Sequence, residues 1–294
     1  MMFSEYWTLA SWITQVGLYF GTAFVLGGVF NYLLFAKIAE IHTILQRYML
    51  IGAILGLIST VLGFLIQIGS FANHGIAGMW DTTYLNILME TSIGKVYGLR
   101  ALCFGVVLLL LLSRLKSTTP PASWRNGLLP AVFLIPVVIS FSQLGHTANL
   151  GYMAQGLLAL HVLSVFLWMG ALYPLWKLNR LIRGKALQDS MRLFGRIAVF
   201  IVATLIVAGV SVAVFLFQDW KNLLGTAYGQ GFILKILMVF GILFIAALNK
   251  LYFTPRLQHP KTAKLFGHVI LLEITFGFAI LLLIGYITIV IGME

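Results

Sequence analysis

Two histidines, His146 and His161, are the residues of this chain whose type and spacing best fit a chemical role. They lie in the segments Gly145-His146-Thr147 and Leu160-His161-Val162, inside long apolar stretches. An ionisable side chain in such a setting is costly to bury, so it predicts a functional site. Imidazole is a good ligand for copper, zinc, iron and nickel, and the pair therefore predicts a metal site. The alternative is that His146 caps a helix end and His161 hydrogen-bonds a neighbouring helix.

Three further side chains are candidate ligands of the same metal. His74 follows Asn73 at the end of an apolar stretch, and Met153 and Met169 lie eight residues before and after His161. That spacing places both methionines near the helical face of His161. Thioether sulfur favours Cu(I), although methionine also fills irregular apolar cores.

Four more titratable residues fall within or beside apolar stretches. Arg100 and Lys235 are expected in the outer leaflet, where they would pair with acidic residues, reach the interface or neutralise an anionic group. Glu273, with His268 nearby, is a candidate proton or metal relay on the exit side. The alternative for Glu273 is a hydrogen bond to a neighbouring helix. His42 and His259 are interpreted as loop residues.

The elements that must hold these residues are membrane helices. The chain is 61% hydrophobic and 9% charged, whereas soluble proteins carry about 25% charged residues. This composition predicts an all-α polytopic membrane bundle, a single membrane domain over 1–294. Eight stretches are long enough to cross about 30 Å of hydrocarbon. They are 6–35, 45–72, 92–113, 127–145, 153–177, 194–217, 229–250 and 266–291.

The basic residues are concentrated beside alternate connections between the apolar stretches. Fifteen of the nineteen Lys and Arg residues lie beside the connections after the first, third, fifth and seventh stretches. The positive-inside rule therefore predicts that both termini are outside. The net charge of +11 is then a topology signal, and nucleic acid is not an expected partner.

The two halves of the chain, 1–125 and 126–294, resemble each other. Arg100 and Lys235 occupy the same offset after aligned glycines, and Tyr19 aligns with His161. These matches predict a parallel repeat of two four-helix halves.

Several function classes are not expected. A single cysteine, Cys103, excludes an intramolecular disulfide and a CxxC metal site. Hydrolase, kinase and ATP-binding motifs are absent from the sequence, so we do not expect an enzyme that hydrolyses ATP.

The second half carries several motifs together. They are Gly145-His146, Leu160-His161, Trp168-Met169-Gly170-Ala171-Leu172, Tyr228-Gly229-Gln230, Leu234-Lys235, Asn249-Lys250-Leu251-Tyr252, Pro255-Arg256-Leu257 and Leu272-Glu273. In these segments, over about 140–290, the chain resembles the copper resistance protein D (CopD) family of the bacterial inner membrane. It departs from some relatives in having Tyr19 where they carry a histidine, and Met169-Gly170-Ala171 where a Gly-Gly pair is usual.

The resemblance implies copper homeostasis, with copper moving from periplasm to cytoplasm beside a periplasmic partner of the CopC type. The leading hypothesis is copper binding and transport at a site built on His146 and His161. One alternative is a haem b membrane oxidoreductase, in which Arg100 and Lys235 would face the propionates. Another is a non-transporting membrane partner of a periplasmic copper chaperone.

Overall fold

The structure is a computed structural model that describes residues 2–115, 124–144, 151–216 and 225–292. These ranges are helical and contain no β-strand, as the sequence predicts. Their α-helices are α1 (Met2–Leu34), α2 (Ala39–Ala72), α3 (Thr82–Glu90), α4 (Ser92–Leu115), α5 (Trp124–Ser140), α6 (Tyr152–Leu181), α7 (Gly184–Leu216), α8 (Ala227–Leu248) and α9 (Pro260–Tyr286).

Seven of these helices are long and apolar enough to cross a membrane, namely α1, α2, α4, α6, α7, α8 and α9. They match seven of the eight predicted spans, and the polytopic membrane bundle is confirmed. The fourth predicted span falls on α5, whose apolar part is Leu128–Ser140. The full helix, Trp124–Ser140, has 17 residues and is about 25 Å long, less than the hydrocarbon thickness. A crossing at α5 stays a prediction.

The predicted spans 153–177 and 194–217 leave residues 178–193 as a connection, but most of them are helical. Only residues 182–183 separate α6 from α7. The first turns of α7 place Leu187 and Met191 four residues apart, and both are buried against neighbouring helices. This amphipathic spacing continues the helix beyond the apolar stretch. Gly184, with φ +63, supplies the left-handed backbone that the turn requires.

Two other boundaries differ from the prediction. Helix α5 ends at Ser140 rather than near 145, and turns over 141–144 follow it. Residues 75–90, expected as a connection, form a 3₁₀ helix (Gly75–Trp80) and α3. The Asp81 carboxylate starts α3 by accepting hydrogen bonds from the backbone amides of Thr83 (2.9 Å) and Tyr84 (3.1 Å).

Helix α1 is the centre of the packing, in contact with α2, α5, α6 and α9. Glycines allow its closest approaches. A Cβ at Gly21 would lie 2.6 Å from the Gly56 backbone of α2, and one at Gly27 would clash with the Gly170 backbone of α6. The Tyr48 hydroxyl donates a hydrogen bond to the Gly170 carbonyl at 3.1 Å. Small residues at such crossings let membrane helices pack backbone to backbone.

Apolar side chains fill three regions around this crossing. One core lies mainly among α1, α2, α4 and α5, and a smaller one among α6, α7, α8 and α9. The third gathers the α1–α2, α6–α7 and α8–α9 connections at one end of the bundle. We call it the basic end because those connections carry Lys37, Arg183, Lys250 and Arg256. The repeat of the two halves stays a prediction.

The glycine crossing gives a stability prediction. Gly170→Ala is expected to destabilise the protein by about 1–3 kcal/mol, because its methyl group would overlap the Ala23 carbonyl of α1. The measurement is the midpoint of thermal unfolding in detergent. Gly98→Ala on α4 is the control, since nothing lies within 4 Å of a Cβ there. Equal unfolding midpoints in the two variants would contradict the close approach of α1 and α6 at Gly170.

Candidate functional site

His161 lies on α6, nine residues after Tyr152. Its Nδ1 is 2.9 Å from the carbonyl oxygen of Leu205 on α7. Because a carbonyl can only accept, Nδ1 carries the proton in this bond and Nε2 keeps its lone pair. Metal-binding histidines are commonly held in this way, with the second ring nitrogen bonded to a carbonyl. His161 therefore offers the nitrogen that a metal would need.

The ring of His161 is accommodated by a glycine on α7. A Cβ at Gly209 would lie 2.8 Å from both Cε1 and Nδ1 of the imidazole. The half-buried ring thus packs on the bare backbone of the turn that follows Leu205. Any larger residue at this position would displace the imidazole from its carbonyl partner.

Lys235 of α8 is a charged residue that acts on His161. Its ammonium is within electrostatic range of His161 and lies 5.4 Å from the centre of the Phe232 ring on the same helix. The structure thus brings together two of the residues selected from the sequence.

His146 lies outside the described residues. The described end of α5 packs on another face of α6, where the ring centres of Phe141 and Phe166 are 5.5 Å apart. Phe166 is five residues after His161, about 140° away around the helix. The expected convergence of the two histidines stays a prediction.

The remaining ligand candidates are not brought to His161. His74 is exposed beside the 3₁₀ helix, and Met153 is 75% exposed at the start of α6. Met169 is about 12 Å further along α6, with its sulfur against Gly277 of α9. It lines a separate cavity of about 480 Å³ near Arg47. Within the described ranges, no three His, Cys, Asp or Glu side chains form a cluster suited to a metal.

Arg100 is buried in the first half and is 1% exposed. Its Nε donates to the Ser140 hydroxyl at 2.7 Å, and Nη2 donates to the Ser140 carbonyl at 3.3 Å. The guanidinium also lies 4.8 Å from the centre of the Phe141 ring. Of the roles expected for this cation, the structure shows neither an acidic partner among the described residues nor a reach to the interface. Instead, Arg100 binds the end of α5.

Tyr19, the predicted counterpart of His161, lies in this same region. Its ring is 5.5 Å from Phe141 and 6.2 Å from Phe166, centre to centre. The position that aligns with the imidazole is therefore part of an aromatic cluster beside Arg100, on the opposite side of α6 from Leu205.

Glu273 is the second buried polar group of interest, 4% exposed in the middle of α9. Its Oε2 accepts a hydrogen bond from Asn249 Nδ2 at 2.7 Å. Asn249 is also buried, and its Oδ1 has no hydrogen-bond partner in the described part of the chain. A carboxyl group and a carboxamide therefore share a pocket without a positive charge bonded to either.

Asn249 opens a π-helical turn, Asn249–Phe253, that prolongs α8. Such turns are rare and often occur at functional sites. The Thr254 hydroxyl donates to the Asn249 carbonyl at 2.8 Å. Gln188 of α7 holds the following residues, because its Nε2 donates to the carbonyls of Thr254 (3.2 Å) and Pro255 (2.6 Å).

The other three histidines do not all lie where the sequence predicts. His268 is exposed, whereas Glu273 on the same helix faces the interior, so the two do not meet. The interpretation of His42 as a loop residue is wrong, since it is buried in α2 with its ring 4.8 Å from that of Tyr32. His259 is exposed and precedes α9.

The key partners, Leu205, Ser140, Asn249 and Gln188, were not selected from the sequence. Asn249 could have been selected from the sequence, because it is the first residue of one of the motifs that carry the resemblance. The carbonyl of Leu205 gives no sequence signal, since any residue supplies one.

Comparison with known families separates the chain into two matched regions. Residues 8–155 match the family model "Copper resistance protein D-like, N-terminal domain", and residues 188–287 match "Copper resistance protein D". The chain belongs to the copper resistance protein D family. No curated protein sequence and no solved structure matched the chain.

The two matched regions of this copper resistance protein D family member contain different residues among those described above. The first includes Tyr19 and Arg100, and the second includes Glu273 with the α7 and α8 partners of the histidine. His161 falls between them, on the helix that joins the two halves. The family supports a role in copper resistance or homeostasis.

The Arg100 contact gives a second stability prediction. Ser140→Ala removes the acceptor of Nε and is expected to cost about 1–3 kcal/mol, because a buried donor loses its partner. The measurement is again the thermal midpoint in detergent. Ser113→Ala is a matched control, since this exposed hydroxyl bonds only the Leu110 carbonyl of its own helix. The role of Ser140 is refuted if both variants unfold at the wild-type temperature.

Proposed function

We propose that this protein binds copper and transports it across the bacterial inner membrane, and that His161 is a ligand of copper in transit. The observation that carries the proposal is the bond from His161 to the Leu205 carbonyl, which leaves Nε2 with a lone pair inside an apolar helix bundle. Membership of a copper resistance family supports copper as the cargo.

Lys235 suits a site that must release what it binds. A positive charge near the imidazole repels a bound cation and weakens its affinity. Conduction needs a site that binds well enough to capture the ion and loosely enough to let it go. A histidine site with a nearby ammonium meets that requirement better than a cage of several thiolates.

His146 is proposed as the second ligand. Phe141 packs on Phe166, five residues along α6 from His161. The five residues from Phe141 to His146 span at most about 17 Å when extended. This length is sufficient for the imidazole of His146 to approach that of His161 around α6.

The remaining features of the proposal concern orientation and partners. We propose eight spans with both termini in the periplasm, because the connections at the basic end carry Lys37, Arg183, Lys250 and Arg256. Copper would then enter at the opposite end, delivered by a periplasmic protein of the CopC type. No enzymatic step is proposed.

The test is equilibrium binding of Cu(I) to purified protein in detergent, under anaerobic conditions, in competition with a chromogenic chelator. His161→Ala is expected to weaken binding by more than the roughly 10–100-fold that loss of a supporting partner costs. Gly209→Val should act in the same direction with the imidazole retained, because its side chain displaces the ring. His259→Ala, at an exposed position beyond the bundle core, is the control.

Equal copper binding by wild type and His161→Ala would refute the site. An absorption spectrum of the same samples tests the haem alternative. A Soret band that is present in wild type and lost in His161→Ala would indicate that His161 binds haem and not copper. Vesicle uptake of copper that does not depend on this protein would favour the non-transporting alternative.

A further inference from the structure

A crevice of about 380 Å³ lies between α7 and α8. Helices α6 and α9 form its floor through Trp168, Leu172 and Ile270. Nearly all of its lining is apolar. The polar side chains among its described lining residues are Asn249, Lys250, Thr254 and Glu273.

The crevice extends over much of the membrane. Its lining on α7 runs from Met191 to Ile206, which is about 22 Å at 1.5 Å per residue. Ile206 directly follows Leu205, whose carbonyl holds His161. One end of the crevice is thus at the level of the proposed copper ligand, and the Glu273–Asn249 pair lies along it toward the basic end.

The pair has the chemistry of an exchangeable proton site. Asn249 is neutral, so its hydrogen bond to Oε2 orients the carboxyl group without cancelling its charge. The bond persists in both states: Oε2 accepts as a carboxylate oxygen, and also as the carbonyl oxygen when the proton is on Oε1. The unpartnered Oδ1 of Asn249 adds a second acceptor in the same buried place.

The charged groups around Glu273 are few. From α6 and α7, no titratable side chain lines the crevice within the described residues. From α8 and its π-helical turn, Lys250 does so at the exposed basic end, and His268 of α9 points away. An exposed ammonium at the mouth does not neutralise a carboxylate that is 4% exposed.

We propose that Glu273 binds and releases a proton through this crevice, and that this step is coupled to the movement of copper. The carboxylate takes up one proton from the solution at the basic end to become a carboxylic acid, and it releases that proton to the same solution, with no redox change. The coupling rests on the proposed function, whereas the proton site itself does not. A purely structural hydrogen bond from Asn249 would instead leave Glu273 in one state.

The test of the proton site is a pH-difference infrared spectrum of the purified protein in lipid. Wild type is expected to show the carbonyl stretch of a protonated carboxyl group that appears and disappears over the pH range in which the protein stays folded. Glu273→Gln should abolish this band, and Glu90→Gln, at an exposed carboxyl outside the crevice, should leave it unchanged. Glu273→Asp should keep a band at a shifted midpoint, which shows that the position tolerates substitution. A band absent from wild type, or unchanged in Glu273→Gln, would overturn the proposal.

The coupling is tested in proteoliposomes that contain a pH-sensitive dye and receive a pulse of Cu(I). Copper entry through wild type should change the internal pH, and Glu273→Gln should lose that change while Cu(I) binding at His161 is retained. Copper entry with an equal pH change in wild type and Glu273→Gln would overturn the coupling and leave the proposed function intact. A titrating band in a wild-type protein that binds no copper would overturn the proposed function and leave the proton site intact.

Discussion

The close approach of α1 and α6 at Gly27 and Gly170 is the constraint on which the rest of the bundle depends. In lipid, apolar side chains gain little from leaving their surroundings, so association relies on close packing and on hydrogen bonds between helices. This crossing supplies both, because the glycine backbones are in contact and the buried Tyr48 hydroxyl donates a hydrogen bond to the Gly170 carbonyl. It joins the first half of the chain to the helix that carries His161, and thereby sets the position of α7 and of the crevice behind it.

Three of the buried polar groups share one kind of partner, an uncharged group that forms a hydrogen bond. Arg100 is held by a serine, His161 by a backbone carbonyl and Glu273 by an asparagine. Each partner is neutral, so orientation is fixed while the charge of the group is not cancelled by an opposite charge. A neutral partner suits a residue that must bind a cation or exchange a proton, whereas an ion pair would commit the residue to the other half of the pair. Arg100 also binds the end of α5, so a neutral partner of this kind serves a structural role there.

Much of the fold could be predicted from the sequence, because hydropathy reports how long each helix must be. Seven spans followed from that single property. The α6–α7 connection could not, because the polar residues of 184–193 include an amphipathic turn in which Leu187, Gln188 and Met191 are buried. For the site, the residue types at positions 161 and 273 were sufficient to select them. Their partners were not predictable, since a carbonyl 44 residues away and an amide 24 residues away become neighbours only through helix packing.

Gln188 has a mechanical consequence. Its amide fastens the start of α7 to the carbonyls of Thr254 and Pro255, and Gln258 donates in turn to the Gln188 side-chain oxygen at 2.8 Å. Helices α7 and α8, which form the two walls of the crevice, are therefore joined by hydrogen bonds at the basic end. These hydrogen bonds fix the spacing of the two helices at that end, and so the width of the crevice beside Lys250 and Thr254.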